Sequence, residues 1–290
     1  MSRSANTAQI LDRGYRTYDG ERRGVFGAMR SVAWHTTRSI LGLGRPARHK
    51  VFPVIVFVIA FLPSIAFLGL SILLGDFGDE LRPEYWELFD LAFLPSILFA
   101  SMVAPEALVR DRRDGMFALY LSTPLTRPSY LGAKVAAVLG CLSLITVGPP
   151  LLLLLGYTIQ NQGPDGIDGW LWVAARIGFA GVVIAAVYAA IGLAAASLTD
   201  RRAFASVAAI LVLLGGLIAG GALVEGAELA REYFLVSPVN TALEVAPRTF
   251  GDESEELAGV ATGLVAAVAA GWVVLGGAVV AWRYRKMAAV

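Results

Sequence analysis

Six long apolar runs constrain this chain more than any other feature of its sequence. A transmembrane helix needs about 20 mostly apolar residues to cross about 30 Å of hydrocarbon at about 1.5 Å per residue. Backbone groups in lipid must be hydrogen-bonded within their own segment, so such runs form helices. We therefore predict an all-α polytopic membrane protein with spans at residues 51–74, 91–108, 130–158, 170–198, 203–224 and 257–282.

The composition agrees with a membrane protein. Hydrophobic residues make up 57% and charged residues 16% of the 290 residues, whereas a soluble domain carries about 25% charged residues. The formal net charge is only +1, which provides no overall basic field for nucleic acid. We expect no nucleic-acid partner.

The loops between the spans alternate in charge along the chain. Basic residues dominate residues 1–50, the second and fourth loops and the C-terminal tail, whereas the first, third and fifth loops are acidic. Lysine and arginine are retained preferentially on the cytoplasmic side. This predicts that both termini are cytoplasmic, with residues 1–50 forming a cytoplasmic segment and residues 51–290 the transmembrane domain.

Two segments outside the spans are amphipathic. Residues 21–44 are basic, and Phe26, Met29, Ala33 and Ile40 recur at helical spacing. A basic amphipathic helix before a span is typical of a helix that lies in the membrane interface, with lipids as its partners.

The second such segment, residues 227–250, is too polar to span and too apolar for a plain loop. We predict short extracellular helices that re-enter the outer leaflet before the last span and are broken at Ser237 and Pro238. Tyr233, Phe234 and Pro238 are the candidate residues of an outer gate.

Glycine and proline positions predict packing and breaks. Gly216 and Gly220 are four residues apart, as are Gly259 and Gly263, which is the spacing of close helix packing in membranes. Prolines within the spans are expected to kink or end helical stretches locally, and these are Pro53, Pro63, Pro95, Pro149 and Pro150.

The sequence excludes the commoner catalytic motifs. The phosphate-binding loop needs glycine before its lysine, but His49 precedes Lys50, Ala133 precedes Lys134 and Arg285 precedes Lys286. The two histidines, His35 and His49, both precede the first span, and neither is followed by glutamate. We expect no enzymatic, cofactor-binding or metal site in this chain.

Few ionisable residues fall within the spans. Glu106, Lys134 and Arg176 are closer to span ends than to the membrane midplane, where ion-driven transporters carry their acids and histidines. This pattern predicts that any transport is powered from outside the membrane.

The cytoplasmic segment 109–134 interleaves acids, bases, glycine, proline and apolar residues. The positive-inside rule explains its arginines but does not require Asp111 and Asp114 among them. We predict that residues 109–121 form a short amphipathic helix along the cytoplasmic surface, and that Pro124 ends this element.

The sequence DRRDGMFALYLSTPLTRPSYLGAK resembles the cytoplasmic coupling region of type-2 ABC transporter permeases. In that family an acid–Arg–acid cluster is followed by glycine, an apolar turn, Thr-Pro and Arg; here Met116 stands where threonine is usual. SPVNTALEVA before the last span also resembles the family, and RGYRTYDGERRG resembles the N-terminus of a bacterial subgroup.

The resemblance implies a permease subunit of an ABC exporter in the bacterial inner membrane. It further implies a separate ATPase subunit that binds ATP and magnesium, and a second permease chain in a homodimer or heterodimer. The short loop TDRRA repeats the Asp-Arg-Arg pattern and is predicted to form a second contact. The residues expected to couple to the ATPase are Asp111, Arg112, Arg113, Asp114, Gly115, Met116, Phe117, Leu121, Pro124, Asp200, Arg201 and Arg202.

Two other classes of function fit the same spans. An ion channel or ion-coupled carrier would work without an ATPase and would need a polar stripe through the membrane. A non-transporting membrane scaffold would need the cytoplasmic charges only as topology signals.

Overall fold

The computed structural model describes residues 24–74 and 82–286, without the side chain of Ala118. The tyrosine-containing part of the N-terminal segment, which carries part of the family resemblance, lies outside the described residues. Within them the chain is helical and contains no strand. The α-helices in order are α1 (Gly24–Ile40), α2 (Arg48–Leu74), α3 (Glu87–Leu91), α4 (Phe93–Arg113), α5 (Met116–Leu121), α6 (Arg127–Thr146), α7 (Gly148–Ile159), α8 (Gly166–Leu198), α9 (Arg202–Gly221), α10 (Pro238–Phe250) and α11 (Thr262–Lys286).

In the described part of the chain, six helices are long and apolar enough to cross a membrane: α2, α4, α6, α8, α9 and α11. The predicted all-α polytopic class is therefore confirmed at this level. The longest, α8, has 33 residues and would reach about 50 Å at 1.5 Å per residue, more than the hydrocarbon thickness.

The third predicted span is divided into two helices rather than one. α6 ends at Thr146 and α7 begins at Gly148. The prolines at 149 and 150 lack an N–H to continue the helical ladder, so the break lies where their sequence predicts it. The Ser64 hydroxyl of α2 donates to the carbonyl of Pro149 at 2.8 Å, which ties this break to the first span.

α4 and α8 form the centre of the bundle, and α8 contacts α4, α6, α9, α10 and α11. Small residues allow this close approach. A Cβ on Gly192 of α8 would lie 3.0 Å from the Ala104 Cβ of α4, and one on Gly276 of α11 would lie 2.7 Å from the Ala190 carbonyl oxygen.

The two predicted GxxxG pairs have different outcomes. Gly216 of α9 faces Pro238, with 2.7 Å between its ideal Cβ and the proline Cδ, so this pair does form a packing surface. The prediction for Gly259 and Gly263 is wrong, because Gly259 has a φ of +81° and lies in the turn before α11. A residue with a left-handed backbone conformation is not part of an α-helix, so Gly259 and Gly263 cannot lie on one helical face.

The segment before the last span contains two short helices, and the break between them lies at the predicted Ser237 and Pro238. A 3₁₀-helix covers Arg231–Val236, and α10 follows after Ser237, whose side chain accepts a hydrogen bond from the Asn240 N–H. This is an N-cap, followed by proline at the first helical position.

The charged loops gather at opposite ends of the bundle. We call one the basic end; it holds the α1–α2 loop, the α4–α6 connection, the α8–α9 turn and the C-terminus of α11. The opposite, acidic end holds α3, the α7–α8 loop and residues 222–261. The separation matches the alternation of charge along the sequence.

Candidate functional site at the basic end

The last turns of α4 bring opposite charges together on one helical face. Glu106, Arg110 and Asp114 are spaced four residues apart, which places them one above another. Arg110 lies 3.2 Å from Glu106 and 3.4 Å from Asp114.

Glu106 is the buried acceptor of a second set of contacts. Its side chain is 7% exposed, and its carboxylate lies 2.8 Å from Arg45 of the α1–α2 loop and 2.5 Å from Arg202 of α9. The Ser39 hydroxyl of α1 donates to it at 3.0 Å. A carboxylate withdrawn from water needs such partners, because an unpaired buried charge is strongly destabilising. Glu106 therefore joins α1, α4 and α9.

Asp111 faces a different neighbour. Its Oδ2 lies 2.6 Å from the Nζ of Lys134 in α6 and accepts a hydrogen bond of 2.9 Å from the Tyr130 hydroxyl. Lys134 is 3% exposed, and its ammonium lies 5.7 Å from the ring centroid of Tyr120 in α5. This group joins α4, α5 and α6.

Arg112 caps the C-terminus of α8. Its guanidinium donates to the carbonyls of Ala196 and Thr199, both at 2.6 Å, and forms an ion pair with Asp200 at 3.1 Å. The last carbonyls of a helix lack intrahelical donors and carry the negative end of the helix dipole, so a guanidinium there is favourable. Arg112 also lies 5.8 Å from the ring centroid of Tyr284 in α11.

The segment predicted as one surface helix over residues 109–121 is two helices instead. Residues up to Arg113 continue α4, and Val109 is fully buried. Gly115 has a φ of +67° and directs the chain into α5. Glycine adopts this left-handed conformation after a helix without the steric penalty of a side chain. The predicted separate helix is thus shorter and begins at Met116.

The predicted partner-facing side of this helix also differs. Phe117 packs edge-on against Tyr130 and Tyr284, with ring centroids 5.3 and 5.6 Å apart, and is partly buried. Met116 and Leu121 are half-buried. Among the described side chains of α5, Leu119 is apolar and exposed, at 58%. We call the exposed residues around it the loop surface: Arg113, Asp114, Leu119, Ser122, Thr123, Pro124 and Arg127.

The second predicted contact lies beside the first. Asp200 is exposed and pairs with Arg112, whereas Arg202 pairs with Glu106. Arg201 is exposed over the ring of Phe204, 5.6 Å from its centroid. The Asp-Arg-Arg sequence at the end of α4 therefore contacts the one between α8 and α9 directly, through Arg112 and Asp200.

The residues predicted for the outer gate lie at the acidic end, apart from this group. Tyr233 is 46% exposed, whereas Phe234 is 6% exposed and Pro238 is buried against Gly216. Phe234 and Pro238 hold the 3₁₀-helix and α10 on α9, and Tyr233 faces outward.

Sequence reasoning missed the residues that hold the basic end together. The sequence places Glu106 only near the end of a span, and it places Lys134 in the family-like pattern without a partner. It counts Arg45 only among the basic residues of the N-terminal segment and assigns no role to Tyr130 or Tyr284. The available signal was the burial of an acid and a lysine within apolar segments, which requires partners. Which residues serve as those partners depends on how the helices pack. We call Glu106, Asp111, Arg112 and their partners the basic-end network.

No protein-family model matches this chain, and no curated protein matches it.

Proposed function

We propose that this chain is the membrane subunit of an ATP-driven exporter of the type-2 ABC class, in the bacterial inner membrane. Its basic end lies in the cytoplasm, and a separate ATPase subunit that binds ATP and magnesium docks there. A second permease chain, identical or related, completes the transport unit.

The observation that carries the proposal is the connection of the loop surface to the spans. The loop surface presents Leu119 among charged and polar groups, a combination that supports specific docking. Directly behind it, Asp111 and Arg112 of α4 are tied by buried charges to α6 and to the end of α8.

Through this connection, an ATPase bound at the loop surface moves the spans. A movement of α5 acts on Tyr130 and Tyr284 through Phe117, and a movement of the end of α4 acts on α9 through Glu106. Packed side chains and ion pairs of this kind carry coupling between distant sites when they have two arrangements.

Three of the long apolar helices have exposed faces that suit an assembly with a second chain. α2, α9 and α11 are far less buried than α4 and α8, and their apolar faces accommodate lipid or a second permease chain.

The test is purification of the chain from its native membranes. We expect a P-loop ATPase without spans to copurify, with two copies of each subunit, and Leu119→Asp and Arg113→Glu to reduce its recovery at least fivefold. Arg285→Glu is the matched control, because Arg285 is also exposed at the basic end but lies on α11. Two results would contradict the proposal. One is a normally inserted chain that is purified without any ATPase, and the other is ion flux through the purified chain alone in liposomes.

A further inference from the structure

A small cavity of about 170 Å³ lies at the basic end, where the α1–α2 loop and the start of α2 meet the last turns of α4 and the start of α9. It is smaller than the about 300 Å³ at which pockets for drug-sized ligands begin, so it suits one small group at the end of a longer molecule. We call it the basic pocket. Its polar lining is Ser39, Arg45, Arg48, His49, Glu106 and Arg202, and its apolar lining is Ile40, Phe52, Pro53, Phe99, Met102 and Val103.

The basic pocket carries an excess of positive charge. Glu106 is the acid among its described lining residues, and its carboxylate lies 2.8 Å from Arg45 and 2.5 Å from Arg202. Arg110, outside the pocket, lies 3.2 Å from the same carboxylate, so three guanidinium groups share one negative charge. Arg48 adds a further positive charge; it is exposed and has no ion-pair partner within residues 24–74 and 82–286. The pocket therefore favours an anion.

The helix beside the pocket has the surface of a membrane-interface helix. Phe26 and Trp34 of α1 are 78% and 62% exposed, and the exposed Arg30 lies between them. Residues four apart lie on one face of a helix, so the two aromatic rings and the guanidinium share that face. Exposed aromatic and basic groups together are typical of a helix at the level of the lipid headgroups. This observation places the α1–α2 corner at that level without reference to the charges in the pocket.

α2 provides an apolar path from the basic pocket towards the hydrocarbon. Val51 and Ile55 follow Arg48 by three and seven residues, which places them on the same side of the helix. They are 52% and 50% exposed, and Phe52 between them lines the pocket. A molecule whose charged end enters the pocket can therefore extend its apolar part along α2. An anionic end joined to long apolar chains describes a phospholipid.

We propose that the basic pocket binds the headgroup phosphate of an anionic phospholipid from the leaflet at the basic end. Arg48 donates to the phosphate oxygens, since its planar guanidinium suits two parallel hydrogen bonds to phosphate. Arg45 and Arg202 supply the remaining positive charge, and the acyl chains lie along Val51 and Ile55. Basic pockets between transmembrane helices are typical sites for anionic headgroups. The site lies apart from the loop surface and requires no ATPase.

The test is native mass spectrometry of the purified chain in a neutral detergent, titrated with phosphatidylglycerol or with phosphatidylcholine of the same acyl chains. We expect the first phosphatidylglycerol to bind with a Kd at least fivefold lower than that of the first phosphatidylcholine, whose ammonium group is repelled by the arginines. Inorganic phosphate in tenfold excess should not displace the lipid, because it makes no contact with the apolar path. Equal Kd values for the two lipids, or displacement by phosphate, would overturn the proposal.

Variants locate the site. Arg48→Gln leaves the contacts of Glu106 intact and is expected to raise the Kd for phosphatidylglycerol at least fivefold. Arg30→Gln is the matched control and should leave the Kd unchanged, because Arg30 is exposed on α1 but does not line the pocket. Melting curves without added lipid check that both variants are folded. An equal loss in Arg30→Gln would show a general attraction to the basic surface, and unchanged affinity in Arg48→Gln would place the lipid elsewhere; either result refutes the assignment.

Discussion

The ammonium of Lys134 lies 2.6 Å from the Oδ2 of Asp111, with the lysine side chain 3% exposed and the aspartate side chain 12% exposed. Neither residue can lose its partner without leaving a charge in a poorly hydrated site. The pair joins the end of the second span to the beginning of the third.

We expect Lys134→Met to reduce the free energy of unfolding by about 3–5 kcal/mol, because Asp111 then stays buried without a counter-charge. The double variant Lys134→Met, Asp111→Leu should recover most of this loss, since it removes both charges. Denaturant unfolding in detergent, arranged as a double-mutant cycle, measures the difference. A double variant as unstable as the single one would show that the pair does not act as a unit.

Arg112 and Arg113 form a matched pair for substitution. Arg112→Leu removes the cap from the end of α8 and should cost about 2–3 kcal/mol, because it leaves buried carbonyls without donors. Arg113→Leu, at an exposed position, should change unfolding by less than about 0.5 kcal/mol. Similar losses at both positions would rule out the capping role.

Substitution of Gly115 tests whether the turn into α5 requires a left-handed backbone conformation. Its φ is +67°, and a Cβ there would meet no atom within 4 Å, so an effect of Gly115→Ala comes from backbone conformation alone. We expect a loss of about 1–2 kcal/mol. Gly140→Ala in α6 also meets no atom but has helical backbone, so it should be neutral or stabilising by up to about 1 kcal/mol. Thermal unfolding of the two variants gives the comparison, and the same sign for both would contradict the prediction.

Gly216 and Gly215 are neighbours in α9, and alanine substitutions at these positions distinguish the effect of side-chain packing from that of helix propensity. A Cβ on Gly216 would lie 2.7 Å from Pro238 Cδ, whereas one on Gly215 meets nothing within 4 Å. We expect Gly216→Ala to destabilise by about 1–3 kcal/mol through displacement of the start of α10, and Gly215→Ala to be tolerated. Cysteine accessibility at Val236 reports the displacement; an unchanged labelling rate in Gly216→Ala would argue against it.

Asp90 makes stability depend on pH at the acidic end. Burial and the carboxylates of Glu256, Glu244 and Glu87 raise its pKa to about 6 from 3.8. Because the folded state holds this proton more tightly than the unfolded state, the resulting stability is present in full below pH 3.8 and is lost as pH rises through about 6. Asp90→Asn should therefore be more stable than the unsubstituted chain at pH 7.5, and the gap should close towards pH 5. Melting temperatures from pH 5 to 8 show this; a gap that does not vary with pH would exclude Asp90 as the group.

Local sequence signals predicted the helical architecture well. Apolar length gave the six spans, and Pro149, Pro150, Ser237 and Pro238 marked breaks that the structure contains. Proline removes a backbone donor wherever it lies, but it does not always end a helix. Pro53 and Pro63, also expected to kink or end helical stretches, lie inside α2, which continues from Arg48 to Leu74. The exact ends were less accurate: the last span begins at Thr262 instead of residue 257, because Gly259 turns the chain first.

The site was predicted less completely. The sequence placed the charged pattern at Asp111 to Asp114 and beside Asp200, and the structure brings these two loops together. It gave no reason to choose Glu106 or Tyr284 as partners, and it assigned Phe117 to an outer face that the structure turns inward.

By itself, the sequence determined how many long apolar helices the described part of the chain contains, where two breaks lie and which loops share a sign of charge, because hydrophobic length and local turn signals act along the chain. Only the tertiary structure decided which charges are buried and paired. Arg112 and Arg113 are the same residue type in adjacent positions, yet one caps α8 and the other faces solvent. Successive residues of a helix point about 100° apart, and the direction that meets a neighbour is set by how the helices pack.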